Sequence, residues 1–275
     1  MSIEPLVILG CGFTGTAAAR QALAAGRTVL ATVRTEAAAT PLRALGVTVH
    51  VASVLDAEVV APLVDGAAVL VSFPPDGRTD AALVGVVATA RAVVYVSSTG
   101  VYGERVGAID EDTPTDAREP RAAARLRAET TWREAGAVAL RAAGIYGPGR
   151  GLHRRILEGS YRVPGDGARV VSRIHADDLA AMALDALARA PRGGCYVAAD
   201  DAPVSQREVV RWLCAGLGLP WPASVPVAEV PETLQHDRSA LNARVKRDLG
   251  LTLRYPTWRE GFTQCLAAEG VAFRP

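Results

Sequence analysis

Short apolar runs rich in β-branched residues recur along the first third of the chain: PLVILG (5–10), RTVLATV (27–33), VTVHVA (47–52), AAVLVSF (67–73) and AVVYVSS (92–98). Apolar residues fill nearly every position in them, as in strands covered on both faces in a parallel sheet. The alanine-rich segments between them, at 13–25, 35–45, 56–64 and 78–90, have the length of crossover helices. Strand and helix in alternation predict an α/β fold with a doubly wound parallel sheet.

Beyond residue 98 the alternation loosens. A loop rich in Gly, Pro and Asp (103–116) precedes a helix at about 117–135, and AVALRAA (137–143) supplies another strand. Gly and Pro interrupt residues 144–171, as in an irregular lobe laid over a sheet. SRIHADDLAAMALDAL (172–187) runs from a strand end into a helix with Asp177 and Asp178 near its start, and further helices are expected at 205–217 and 239–248. The expected division is a sheet domain of residues 1–145 with about 170–200, and a smaller, discontinuous C-terminal lobe of about 146–169 and 201–275.

Composition narrows the partners. Hydrophobic residues make up 49% of the 275 positions but aromatic ones only 5%, so the core must rest on Ala, Val, Leu and Ile. Thirty basic side chains balance 29 acidic ones, which excludes the one-signed field of a nucleic-acid binder or a polybasic membrane contact. Cys11, Cys195, Cys214 and Cys265 fit neither a disulfide framework nor a zinc pattern. His50, His153, His175 and His236 lack metal-ligand spacing, so no metal is expected. MSIEPLVILGCG has no basic n-region, and no apolar run reaches the ~18 residues of a spanning helix. The expected setting is cytoplasmic and the expected partner a small molecule.

Candidate chemistry begins at LGCGFTG, where Gly10, Gly12 and Gly15 follow the first strand and open the first helix in G-x-G-x-x-G spacing. Gly10 would make the tight turn, Gly12 would let backbone approach a pyrophosphate, and Gly15 would allow close helix–strand packing. The second strand ends without a carboxylate; Arg34 follows Val33 instead. An acidic residue there would favour the ribose of NAD, whereas arginine accommodates the 2′-phosphate of NADP, so NADP is expected over NAD.

This loop, SSTGVYG (97–103), LRAAGIYGPG (140–149) and RIHADDLA (173–180) occur in an order that resembles the extended short-chain dehydrogenase/reductases, or NAD-dependent epimerase/dehydratases, over about residues 5–200. The resemblance implies a Rossmann domain binding NAD(P) and a smaller lobe closing over a substrate. It places Gly10, Gly12, Phe13, Thr14 and Gly15 at the pyrophosphate, Arg34 at the adenosine phosphate, and Ser72, Phe73 and Pro74 along the cofactor's path. Ser98 would hydrogen-bond the reacting oxygen, Tyr146 and Pro148 would pass near the nicotinamide, and Asp178 would lie where the chain returns to the sheet. Leu9 stands where such proteins carry a first glycine, and Ser53 where an aspartate commonly reads adenine.

The largest departure lies in REPRAAARLRAE (118–129). The family's Tyr-x-x-x-Lys pair, aligned through Glu129, falls on Arg121 and Arg125. Arginine is effectively always protonated and cannot shuttle a proton at neutral pH. Three readings stand open: a solvated face of Arg118, Arg121, Arg125 and Glu129 joined by helix ion pairs; an anion grip by Arg121 and Arg125; or cofactor binding without turnover. Tyr102 and Tyr146 are candidates to move a proton, with Glu104 and His153 behind them, and water is the remaining donor. Cys11 at a helix N-terminus could carry a depressed pKa. Arg154, Arg155, Arg169 and Arg173 flank the lobe and suit an anionic substrate. The expected function is NADP-linked redox chemistry on a carbonyl or hydroxyl of a small anionic metabolite or sugar derivative, on the atypical branch lacking Tyr-x-x-x-Lys. The alternative is a non-catalytic NADP(H) sensor, and a homodimer stays open.

Overall fold

A computed structural model describes residues 4–230 and 235–274. Seven parallel strands form the central sheet: β1 Leu6–Leu9, β2 Val29–Val33, β3 Thr48–Val51, β4 Ala68–Val71, β5 Ala92–Ser98, β6 Val138–Ala142 and β7 Cys195–Ala198, in the order β7-β6-β5-β4-β1-β2-β3. The order reverses between β1 and β4, the crevice where ligands of open α/β sheets bind. β1 and β4 are buried at every position, so both faces of the sheet must be covered. β3 alternates exposed and half-buried residues because it is the edge.

Helices α1 (Phe13–Ala24), α2 (Glu36–Ala44) and α7 (Ala176–Arg189) share one core with one face of the sheet. Helices α3 (Ala57–Val64), α4 (Arg78–Leu83) and α5 (Pro120–Glu134) cover the other face, around Leu83, Tyr95 and Trp132. The arrangement is the Rossmann-type doubly wound fold. A separate core of Tyr146, Ile156, Tyr161, Leu213, Trp258 and Phe262 joins α6 (Leu152–Leu157), α8 (Gln206–Leu217) and α10 (Trp258–Ala268) into a lobe above the carboxyl ends of the strands.

Two expected elements differ. The helix expected at 78–90 stops at Leu83 and resumes as a 3₁₀ turn over Val86–Thr89, on either side of Gly85. The helix expected at 239–248 begins instead as the strand Arg238–Ala240, which pairs with Gly107–Ile109, and α9 spans Ala243–Leu249. Val245 and Leu249 of α9 sit in the α1–α7 core, so this stretch of the expected lobe packs on the sheet domain. Among the described residues no helix is long and apolar enough to cross a membrane.

Candidate functional site

The carboxyl ends of β1, β4 and β5 open on a cavity of about 1090 Å³. Its wall runs from Gly12, Phe13 and Thr14 past Ser72, Phe73, Pro74 and Ser98 to Arg121 and Arg125, and on into the lobe at Tyr146, Tyr161, Arg173 and Gln206. The glycine loop at one end is bolted in place. Gly10 N–H donates to Thr32 Oγ1 at 2.9 Å, and Ser72 Oγ donates to Gly10 O at 3.1 Å. Gly10 has φ +75°, and a Cβ there would lie 2.7 Å from Phe73 Cβ. A Cβ on Gly15 would lie 2.9 Å from Ile8 Cγ2, so this glycine seats α1 on β1.

At Gly12 an added Cβ meets nothing within 4 Å, and no side chain caps the N-terminus of α1. Bare backbone donors at the positive end of a twelve-residue helix suit a phosphate. The residues present therefore fit a dinucleotide: Gly12, Phe13 and Thr14 at its pyrophosphate, and Ser72, Phe73 and Pro74 along its length. Arg34 is exposed just past β2 and takes no hydrogen bond or ion pair among the described residues. Cys11 does not carry a depressed pKa. Burial pushes its thiol up to about 11, outweighing the hydrogen bond with Thr16.

The arginine face of α5 is graded in burial. Arg118 precedes the helix and turns away to Asp116 at 2.5 Å and Glu104 at 3.2 Å, and Glu104 does not line the cavity. Arg121 is exposed, lines the cavity and takes no partner among the described residues. Arg125 is half-buried, its Nη1 donating to Tyr95 Oη at 3.1 Å and Val96 O at 3.4 Å. Glu129 is buried, ion-paired with Arg141 at 2.7 Å, and accepts from Ser97 Oγ at 2.6 Å. The solvated face of mutual helix ion pairs is thus not what forms: Arg118 and Glu129 bond to groups off the helix, and Arg121 and Arg125 meet the cavity.

Ser98 Oγ accepts from Gly100 N–H at 3.0 Å, which leaves its hydroxyl proton free for a ligand in the cavity. Neither tyrosine candidate is placed to move a proton. Tyr102 is fully buried away from the cavity; its phenol donates to Asp110 O at 2.6 Å and accepts from Arg141 Nη1 at 3.0 Å. Burial pushes it up to about 12. Tyr146 presents its ring to the cavity but lays its hydroxyl against Gly261 of α10, and burial drives that phenol far above the ordinary range. Pro148 does not line the cavity.

His153 is fully buried rather than part of a basic surface run, with Nε2 2.8 Å from Glu269 Oε1. His175 caps α7 by accepting from Asp177 N–H at 3.2 Å. Asp178 accepts from Arg254 N–H at 2.7 Å and Tyr255 N–H at 3.0 Å, tying the C-terminal segment to α7. Arg154 pairs with Glu269 at 3.2 Å, and Arg169 donates to Gln235 O at 2.7 Å.

Sequence reasoning missed Arg150, Tyr161, Gln206, His236 and Arg238, which also line the cavity. They come from lobe segments with no spaced motif. Arginines 121, 125, 150, 154, 155, 173 and 238 face a wall whose one carboxylate, among the described residues, is Glu158, so the cavity favours anions.

Comparison with known proteins agrees with this geometry. Residues 78–199 match the model of the NAD dependent epimerase/dehydratase family. A 3-diazoavenalumate denitrifying reductase from Streptomyces sp. is 32% identical over 175 residues, covering 56% of this chain and 57% of that protein, little more than half of its length. A solved structure of a conserved protein of unknown function from Silicibacter pomeroyi DSS superposes with a TM-score of 0.84 at 28% identity, over 97% of this chain and 99% of that one. Another from Methylobacillus flagellatus, described as an NAD-dependent epimerase/dehydratase, gives 0.75 at 29% identity over 98% and 100%.

Proposed function

We propose that this chain, whose residues 78–199 match the NAD dependent epimerase/dehydratase family model, is an NADP-linked reductase of a small anionic metabolite that works without a tyrosine–lysine proton relay. One observation carries the reading: a single cavity joins the uncapped α1 N-terminus, open at Gly12, to Ser98 and Arg121 and then to a basic lobe. Bound there, a nicotinamide dinucleotide supplies the hydride. The backbone donors of α1 hold its pyrophosphate. Arg34 meets a 2′-phosphate at a strand end that carries no carboxylate to repel it.

Ser98 donates a hydrogen bond to the acceptor's oxygen, and Arg121 stabilises negative charge growing on it. Arg121 cannot give up a proton, so water or His236, the histidine that lines the cavity, supplies the one the product needs. The reductive direction accords with the Streptomyces relative, which is named a reductase.

The test is to titrate NADPH and NADH against the pure protein and then screen anionic carbonyl compounds for NADPH oxidation. NADPH should bind tighter, and Arg34→Ala should narrow the gap. Arg121→Ala should cut turnover roughly a hundredfold, the scale of one lost charge-stabilising donor. Failure to bind either nucleotide would end the reading, and full turnover by Arg121→Ala would end that residue's role. A nucleotide sensor would bind NADPH and leave every acceptor untouched.

A further inference from the structure

At the lobe end of the cavity two buried polar groups lack the partners that burial normally demands. Arg173 opens the strand Arg173–His175, is 6% exposed, and lines the cavity. A guanidinium offers five N–H donors. Here Nη1 donates to Val171 O at 2.9 Å, and no carboxylate of the described residues comes within ion-pair distance. The acidic group that its charge acts on most is Asp200, itself 2% exposed. Asp200 Oδ1 accepts from Ala202 N–H at 3.1 Å while Oδ2 has no hydrogen-bond partner. Burial pushes this carboxyl up to about 7, so near neutrality it is about half protonated and does not cancel the arginine. Buried charges are ordinarily paired. This one faces open space instead.

The second group is Gln206, the first residue of α8, also 2% exposed and lining the cavity. Its Oε1 accepts from Tyr161 Oη at 2.6 Å, which fixes the amide so that Nε2 points the other way. That Nε2 is buried with no hydrogen-bond partner. Tyr161 links the two groups, because its phenol also feels the charge of Arg173.

We infer that Arg173 and Gln206 form a subsite for the carboxylate of the substrate, the guanidinium bridging its two oxygens and the amide donating to one. This deepens the reductase reading and rests on it. A carboxylate fits because the planar guanidinium fork takes its two oxygens together and the amide adds a further donor. The neighbouring walls are aromatic, from Tyr146, Tyr161 and Phe262. The substrate class is therefore a monocarboxylate with a planar or apolar body.

The test compares benzoate and cinnamate with benzamide and cinnamamide, pairs matched in shape and differing in charge, by calorimetry on the full chain with and without NADPH. The acids should bind and the amides should bind at least about tenfold more weakly, the loss expected for bonds to a charged group. Gln206→Glu, which keeps an acceptor for Tyr161, and Arg173→Gln should each weaken the acids about tenfold or more. NADPH affinity, measured on every variant, should stay unchanged, which also shows that each has folded. Equal binding of acids and amides, unchanged acid binding in Gln206→Glu, or tighter binding of inorganic phosphate would overturn the subsite. NADPH binding with no acid bound overturns the subsite and spares the dinucleotide reading. Acid binding that follows the expected charge and variant pattern without any NADPH binding does the reverse.

Discussion

Replacing Glu129 with alanine should strand the Arg141 guanidinium in the core directly behind the cavity. The two side chains are 1% and 6% exposed, and Glu129 takes Arg141 Nε at 3.0 Å, Arg141 Nη2 at 2.7 Å and Ser97 Oγ at 2.6 Å. Without the carboxylate, Arg141 keeps Tyr102 Oη as its side-chain partner. Removing one member of a buried pair costs about 3–5 kcal/mol, since the remaining charge stays desolvated. For a chain of this size each kcal/mol lowers Tm by about 2–4 °C, so Glu129→Ala should melt roughly 10 °C lower. Glu129→Gln keeps the shape and an acceptor oxygen and should lose about half as much. The double variant Glu129→Leu/Arg141→Met removes both charges together and should cost less than Glu129→Ala alone. Thermal and urea unfolding followed by circular dichroism measure all three, together with the single changes Glu129→Leu and Arg141→Met that close the cycle. A loss below about 1 kcal/mol for Glu129→Ala, or a double variant whose cost is the sum of its single changes, would refute the assignment of this pair as a coupled core element.

The two loop glycines should separate stability from binding. Gly10→Ala, at φ +75° and against Phe73, should destabilise by about 2–4 kcal/mol, whereas Gly12→Ala should leave Tm nearly unchanged yet weaken NADPH roughly tenfold; the reverse pattern would sink the loop assignment. Asp200 has a folded pKa of about 7 against an ordinary 3.8, so folding favours its neutral form. Its contribution is complete below about pH 4 and is lost as pH rises toward 7, up to about 4 kcal/mol in total. Asp200→Asn should therefore gain stability over the native chain across that window in urea titrations, and a difference independent of pH would contradict the burial argument. Cys11, with its thiol pushed up to about 11 from 9.0, should be alkylated by iodoacetamide about a hundredfold more slowly in the folded than in the urea-unfolded chain; mass spectrometry showing rapid modification of the native protein would contradict it.

What the chain discloses about itself follows from the range of the interactions involved. Strands β1, β4 and β5 are legible because burial on both faces demands unbroken apolar runs, and the glycine loop because its backbone conformation admits few other residues. The helix expected at 239–248 fails because Arg238–Ala240 owes its extended form to a partner strand at 107–109, which no local pattern reveals. His153 looks solvated beside Arg154 and Arg155 because its partner, Glu269, is 116 positions away. Tyr102 sits in a motif that suggests catalysis, yet Arg141, 39 positions on, occupies its hydroxyl. Arg173 reads in the sequence only as one of four arginines suited to an anion, and Gln206 not at all, because their significance lies in partners they do not have, and only the folded chain shows an unfilled donor.

The arginines of α5 change what chemistry the fold can host. A proton relay needs a group that titrates near the working pH. Arg125 is a permanent cation anchored to β5 through Tyr95 and Val96, and Glu129 is committed to Arg141 and Ser97. Of that face, Arg121 and the unbonded donors of Arg125 are left to act on a ligand, and they can stabilise charge without exchanging a proton. In the proposed reading Arg173, at the far end of the cavity, holds the substrate's carboxylate, while Ser98 and Arg121 meet the negative charge that develops at its reacting oxygen. Reactions suited to the site are those in which hydride arrives first and the proton, where one is needed, comes from outside helix α5.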